Sequence, residues 1–215
     1  MTITAPVMWE GDALDLCHAL TERPHLVVTD PPYAFGGEGD EHAISATVAI
    51  VLREMAKRLA TGGWFVVMCA ASLRSEGYMT ESIRGCGLTP VRRGTWIKPE
   101  SRTKVQTTGW AWASVSVLVF RKGKAKGVGV DALDWVEAPA LRVGRRAQIP
   151  EQVADWMVAP WCAPGLLAVD PFAGSGALLT AATRSGMHAV GFEKRPEGVL
   201  SGVTVTKPPQ LGLFQ

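Results

Sequence analysis

Residues 166–193 read LLAVDPFAGSGALLTAATRSGMHAVGFE, and this stretch decides the fold. Leu166 to Val169 is a short apolar strand, and Asp170 to Gly176 is a turn with two glycines. Ala177 to Ser185 repeats apolar residues at helical spacing, and His188 to Phe192 is a second strand. Strand, turn, helix and strand in that order form a βαβ unit, which belongs in a parallel sheet. Gly174 and Gly176 let a ligand approach the backbone, and the helix that follows offers N-terminal amides to a carboxylate or phosphate. The second strand runs out at Glu193, an acid placed to accept hydrogen bonds from a ribose diol. This order fits an adenosine-containing cofactor, and the departure from GxGxxG counts against a nicotinamide one.

The rest of the chain alternates in the same way. Pro6 to Glu10 is a strand ended by Gly11-Asp12, and Asp12 can cap a helix from Ala13 to about Thr21. Leu26 to Thr29 is a strand stopped by Asp30-Pro31-Pro32. Val48, Val51, Leu52, Met55 and Leu59 share one helical face that Gly62-Gly63 terminates. Trp64 to Cys69 is a buried strand, and a weaker helix covers Leu73 to Arg84. Leu88 to Lys98 and Ser114 to Arg121 pair as strands around a basic, aromatic tip. Residues 123–146 are Gly- and Arg-rich and give no clear element, and Pro150 opens a helix containing Val153, Trp156 and Met157. The expected fold is α/β, a single domain with an open, mostly parallel sheet and helices on both faces.

Composition narrows the function classes. Of 215 residues, 47% are hydrophobic and 20% charged, which excludes a disordered tail or a coiled coil. No apolar run approaches the roughly 18 residues that span a bilayer, and the first residues carry no secretory signature. Cys17, Cys69, Cys86 and Cys162 form no CxxC pair, so neither a metal site nor a disulfide framework is expected. Free thiols fit a reducing, cytoplasmic setting. Net charge is only +2, yet nine basic residues lie between Arg92 and Lys126 against one acid, Glu100. Trp96, Trp110 and Trp112 interleave with them. Such a segment suits nucleic acid, and a solvated basic surface over core tryptophans is the plainer alternative.

A second loop carries chemistry. Thr29-Asp30-Pro31-Pro32-Tyr33 follows a strand. Its prolines stiffen the turn and donate no amide, leaving carbonyls as acceptors. A carboxylate, a fixed carbonyl and an aromatic ring can grip an exocyclic amine while the ring stacks on the base that bears it. The structural alternative is a rigid turn with Tyr33 packed on the sheet.

Asp30-Pro31-Pro32-Tyr33 followed by Asp170-Pro171-Phe172-Ala173-Gly174-Ser175-Gly176 resembles the S-adenosylmethionine-dependent DNA amino-methyltransferases, in the permuted order called the β class. Met8 to Leu14 looks like that family's opening strand and acidic turn, Trp96-Ile97-Lys98-Pro99 like its W-x-K-P segment, and Val153 to Met157 like the helix leading to the cofactor loop. The resemblance implies a Rossmann-like methyltransferase fold, circularly permuted, with a seven-stranded sheet in the order 3-2-1-4-5-7-6. Residues 1–197 would be the catalytic domain, 92–146 a minimal target-recognition region and 198–215 a tail.

The resemblance also assigns roles. Asp30 and the Pro31 carbonyl would accept hydrogen bonds from the target amine, with Pro32 stiffening the turn and Tyr33 stacking on a flipped base. Asp170, Pro171, Phe172, Gly174, Ser175 and Gly176 would hold the methionine end of S-adenosylmethionine, Glu193 the ribose, and Asp12 with Ala13 the adenine. Transfer would pass directly from sulfonium to nitrogen. Lys98, Arg102, Lys104, Trp110, Trp112, Lys122 and Lys124 would meet double-stranded DNA. Where the family reads T-Q-K-P, this chain has Ala147-Gln148-Ile149-Pro150, so Gln148 and Pro150 remain at the cofactor without the lysine, and Arg145, Arg146 or backbone amides could replace it. The short recognition region allows lax specificity or a homodimer. Ala34 to His42 reads as a lid over the base pocket, with His42 a bystander.

Aspartate at the head of the motif leans to adenine N6, with cytosine N4 as the alternative. Asparagine heads the related loop of glutamine-N5 protein methylation, which counts against that activity here. A catalytically inactive nucleic-acid-binding relative is the alternative of another class. Restriction-modification and phage self-protection are settings that the residues do not separate, in a bacterium or a phage.

Overall fold

The computed structural model describes residues 5–32, 41–99, 113–124, 131–143 and 146–209. In chain order the elements are β1 (Val7–Glu10), α1 (Ala13–Ala19), β2 (Leu26–Thr29), α2 (Glu41–Arg58), β3 (Trp64–Ala70), α3 (Leu73–Ser82), β4 (Leu88–Ile97) and β5 (Ser114–Lys122). They continue with β6 (Trp135–Glu137), β7 (Leu141–Val143), β8 (Arg146–Gln148), α4 (Glu151–Val158), β9 (Leu167–Asp170), α5 (Ala177–Arg184), β10 (His188–Glu193) and β11 (Thr204–Thr206). Capping follows the residue chemistry. Asp12 Oδ1 accepts from Leu14 N at 3.1 Å and opens α1, and the Ser72 hydroxyl accepts from Ser75 N at 3.2 Å and opens α3.

One sheet runs β11-β1-β10-β9-β2-β3-β5-β4-β6. Its central seven strands run β1-β10-β9-β2-β3-β5-β4. The neighbours from β1 to β3 pair in parallel, whereas β5 is antiparallel to both β3 and β4. The sheet has nine strands among the described residues, not the seven expected. β6 and β11 add to its two edges, each three residues long, and β11 is exposed throughout. β6 buries only its middle residue, Val136. β7 and β8 form a separate antiparallel ladder in the Gly- and Arg-rich stretch that gave no clear element. The segment 198–215 is not simply a tail, because Thr204 to Thr206 pairs in parallel with Val7 to Trp9.

The core lies on both faces of the sheet. Strand side chains alternate, so Leu26 and Val28 turn to one face and Val27 to the other, and Val66 and Met68 oppose Phe65 and Val67. α4 and α5 cover the first face with Val153, Met157, Leu178 and Leu179. α1, α2 and α3 cover the second, Leu52, Met55 and Leu59 being fully buried there. Each such side chain contributes about 1.5–3 kcal/mol on burial, which is why parallel strands of this kind read as unbroken apolar runs.

The topology places the site. β1, β2, β9 and β10 all end on one edge of the sheet, at Glu10, Thr29, Asp170 and Glu193. β9 and β2 are neighbours, yet the chain leaves β9 for α5 on one face and β2 for α2 on the other. A crevice opens where the connections part in this way.

Candidate active site

A cleft of about 730 Å³ occupies that crevice. Asp30 and Pro32 enter it from the end of β2, and Asp170 to Ser175 from the turn after β9. Asp12 and Ala13 follow β1, Glu193 and Lys194 close β10, and Gln148 and Ile149 precede α4. Phe172, Ile149, Val48, Leu178 and Phe192 make its apolar walls. Phe192 is fixed from behind by stacking on Trp9, with ring centroids 5.7 Å apart.

The turn after β9 is ordered by its own polar groups. Asp170 is 1% exposed, and its Oδ1 accepts from Thr29 Oγ1 at 2.7 Å and from Phe172 N at 3.0 Å. Burial pushes the Asp170 carboxyl up to about 7, against those two hydrogen bonds, and the charges of Asp30 and Glu193 push the same way. Gly176 opens α5 with φ +85°, a conformation that favours glycine, and no side chain caps that helix. Gly176 shapes the turn without lining the cleft.

Glu193 is held by backbone amides. Its Oε2 accepts from Gly174 N at 3.0 Å and its Oε1 from Arg195 N at 3.0 Å. A carboxylate has roughly four acceptor positions, so both oxygens keep capacity for hydroxyls in the cleft. Asp12 uses Oδ1 to cap α1, and its Oδ2 lies 3.4 Å from Lys194 Nζ.

Ile149 stands where the resemblance would put a lysine, and it makes apolar wall there. Gln148 lines the cleft beside it, whereas Pro150 is buried and caps α4, its carbonyl accepting from Val153 N and Ala154 N at 3.0 Å each. Pro31 is buried. Sequence reasoning missed Thr47, Val48, Lys194 and Phe192. Lys194 had one signal, a cation directly after the acid that ends β10. Thr47 and Val48 lie on α2, far in sequence from either loop, and carry no motif.

The basic residues separate in space. Lys98 follows β4 on the site edge, half-buried, its ammonium 5.6 Å from the Trp96 ring centroid. Burial lowers its pKa, and the Asp30 charge acts in the opposite sense. Lys122 lies away from that edge. In register Lys122 faces Leu88, at the far end of the hairpin from Ile97 and Ser114. Its Nζ donates to the Ala56 and Lys57 carbonyls at 2.9 and 2.8 Å, so it closes the C-terminal end of α2. Tyr33, Arg102, Lys104, Trp110, Trp112, Arg145 and 34–40 of the expected lid lie outside the described residues, as does the side chain of Arg146. His42 belongs to the first turn of α2 rather than to a loop.

Among the described residues no group of His, Cys, Asp and Glu could hold a metal ion, and no helix is long and apolar enough to cross a membrane. All four cysteines are free, and burial raises the Cys17 and Cys69 thiols to about 12.

Residues 139–201, which carry the turn after β9 and Glu193, match the family model of the N6/N4 DNA methylases. The match spans 63 of the 215 residues. Solved structures share the fold of this chain. PvuII DNA methyltransferase, which is cytosine-N4-specific, superposes with TM-score 0.72 at 20% identity, over 90% of this chain and 84% of that one. TTHA0409 of Thermus thermophilus, assigned as a DNA modification methylase, gives 0.70 at 21%, over 95% and 100%. M1.HpyAVI in complex with S-adenosylmethionine gives 0.70 at 18%, over 89% and 94%. No curated protein gives a significant sequence match. At these identities the structures establish the fold, and the family match covers the turn after β9, α5 and β10.

Proposed function

We propose that this protein is a DNA methyltransferase that transfers a methyl group from S-adenosylmethionine to the exocyclic N6 of adenine in double-stranded DNA. One observation carries the proposal: a single cleft holds both the Asp30 carboxylate and the Gly174–Glu193 cradle. The cleft suits S-adenosylmethionine. Its volume of about 730 Å³ falls in the range of small-molecule sites. Glu193 offers two ordered acceptors to a diol, Asp12 an acidic acceptor to an adenine amine, and Phe172 and Ile149 apolar walls. When bound, the cofactor supplies a methyl group activated by sulfonium.

The chain's own groups act on the target amine. Asp30 accepts an N–H from it, stabilises the positive charge that develops on the nitrogen as the N–CH3 bond forms and the S–CH3 bond breaks, and takes up the proton that the nitrogen then releases. The Pro31 carbonyl is a second acceptor, and two acceptors favour a tetrahedral nitrogen whose lone pair is no longer delocalised into the ring. Tyr33 stacks on the base, which leaves the helix to reach the cleft. Phe172 and Ile149 exclude water beside the reacting groups. Cytosine N4 is the second reading, favoured by the likeness to the PvuII enzyme.

Incubation with labelled S-adenosylmethionine and unmethylated duplex, followed by nucleoside mass spectrometry, decides the target. N6-methyladenine supports the proposal, N4-methylcytosine replaces it with the second reading, and absence of label removes both. Asp30→Ala lowers transfer by at least about 100-fold, the scale of acid–base groups, while calorimetry still shows cofactor binding. Retained turnover takes Asp30 out of the chemistry.

A further inference from the structure

We propose that Thr29 is a positioning residue, its hydroxyl tying the target-amine loop that starts at Asp30 to the cofactor turn that starts at Asp170. The inference rests on the methyltransferase reading of the cleft and names a residue which that reading does not use. β2 and β9 are neighbours, but their register runs only through Leu26–Ala168 and Val27–Val169. Past that ladder the strand ends separate into two loops. There the Thr29 Oγ1–Asp170 Oδ1 hydrogen bond, 2.7 Å long, joins them across 141 residues of sequence.

The pair is built into the interior. Thr29 is 0% and Asp170 1% exposed, on strands whose other residues are Leu, Val and Ala. A valine at 29 would keep the shape, so what the hydroxyl adds comes only through a partner. The same Asp170 oxygen accepts from Phe172 N at 3.0 Å, so the tie reaches the wall of the cleft. Asp30, the next residue after Thr29, and Glu193 of β10 both face Asp170 with negative charge, and the Lys98 ammonium faces Asp30 from the end of β4. Methyl transfer needs its two reacting atoms about 3–3.5 Å apart, and a displacement of about 1 Å can cost on the order of 100-fold. A tie between the loops that carry them therefore governs the rate of transfer more than the affinity for either substrate.

The test compares Thr29→Val, which loses the hydroxyl, with Thr29→Ser, which keeps it. Single-turnover methylation at saturating cofactor and duplex is expected to fall at least about tenfold in the valine variant, with cofactor affinity by calorimetry changed less than about threefold. Serine restores the wild-type rate. In the wild type the rate rises through a midpoint near 7 as Asp170 ionises, because a carboxylate holds its two donors more strongly than the acid does. Valine moves that midpoint upward by removing a hydrogen bond to the ionised form, and serine does not.

Carboxyl carbon NMR of Asp170 reads the same midpoint without turnover. Valine and wild type with equal rates and equal midpoints overturn the proposal, as does an affinity loss that matches the rate loss. If valine fails to fold, Thr29→Ala takes its place in the same comparison, and a rate and midpoint equal to those of the wild type overturn the proposal. A wild type that labels no DNA base faults the methyltransferase reading instead. The NMR midpoint then still supports the tie if valine alone moves it, and overturns it if valine does not.

Discussion

Asp170 is a carboxylate placed where charge is costly, and that has a consequence for stability. Its folded pKa of about 7 exceeds the ordinary 3.8. Between those values the folded chain holds a proton that the unfolded chain has released, so stability from this group rises as pH falls from about 8 towards 5. Most paired carboxylates do the reverse. Asp170→Asn is expected to remove this contribution, of up to about 1.4 kcal/mol per pH unit. Denaturant melts of both proteins across that range check it, and parallel pH profiles would refute it. The motif made Asp170 legible as a functional residue. Its burial was not legible, since Thr29 comes from another strand, 141 residues away. The contacts of Lys122 were hidden for the same reason: a cation in a basic run cannot show that it meets the carbonyls of a helix ended sixty-odd residues earlier.

At the scale of elements, β1, β2, β3, β9 and β10 stood out because strands buried on both faces read as apolar runs between turn residues. β11 did not, since Thr204, Val205 and Thr206 are all exposed. The segment leading into it nevertheless supports the cofactor turn. Leu200 N donates to the Ser175 carbonyl at 2.9 Å. A Cβ on Gly176 would stand 2.9 Å from Val203 Cγ2, at a backbone φ of +85°. Gly176→Ala therefore meets both a clash and left-handed strain, costing about 1–2 kcal/mol from the strain alone. In a Val203→Ala background the clash is relieved and the strain stays, so the glycine substitution costs less there by a measurable coupling. A double-mutant cycle by chemical denaturation checks this. Strict additivity would show that Val203 does not press on the turn.

Across the whole molecule, the direction of the β4–β5 hairpin divides charges that look continuous in sequence. Ten residues of β4, at about 3.3 Å each, put Lys122 roughly 30 Å from the end where the chain leaves for Lys98. Lys98 shares the sheet edge with Asp30, Asp170 and Glu193, and the stretch holding Arg102 and Lys104 leaves and returns there, between Ile97 and Ser114. A duplex presenting a base to the cleft is expected to meet that edge and not the opposite one. Replacing Arg102 and Lys104 together by alanine should weaken duplex binding and flatten the slope of log affinity against log salt by about 1.8, two phosphate contacts' worth. Lys122→Met should leave that slope unchanged while lowering the melting temperature, because the Ala56 and Lys57 carbonyls lose their donor. Fluorescence anisotropy from low to moderate salt, with thermal melts alongside, separates the two. An unchanged slope in the first variant or a flattened one in the second would move the DNA face to the other pole of the sheet.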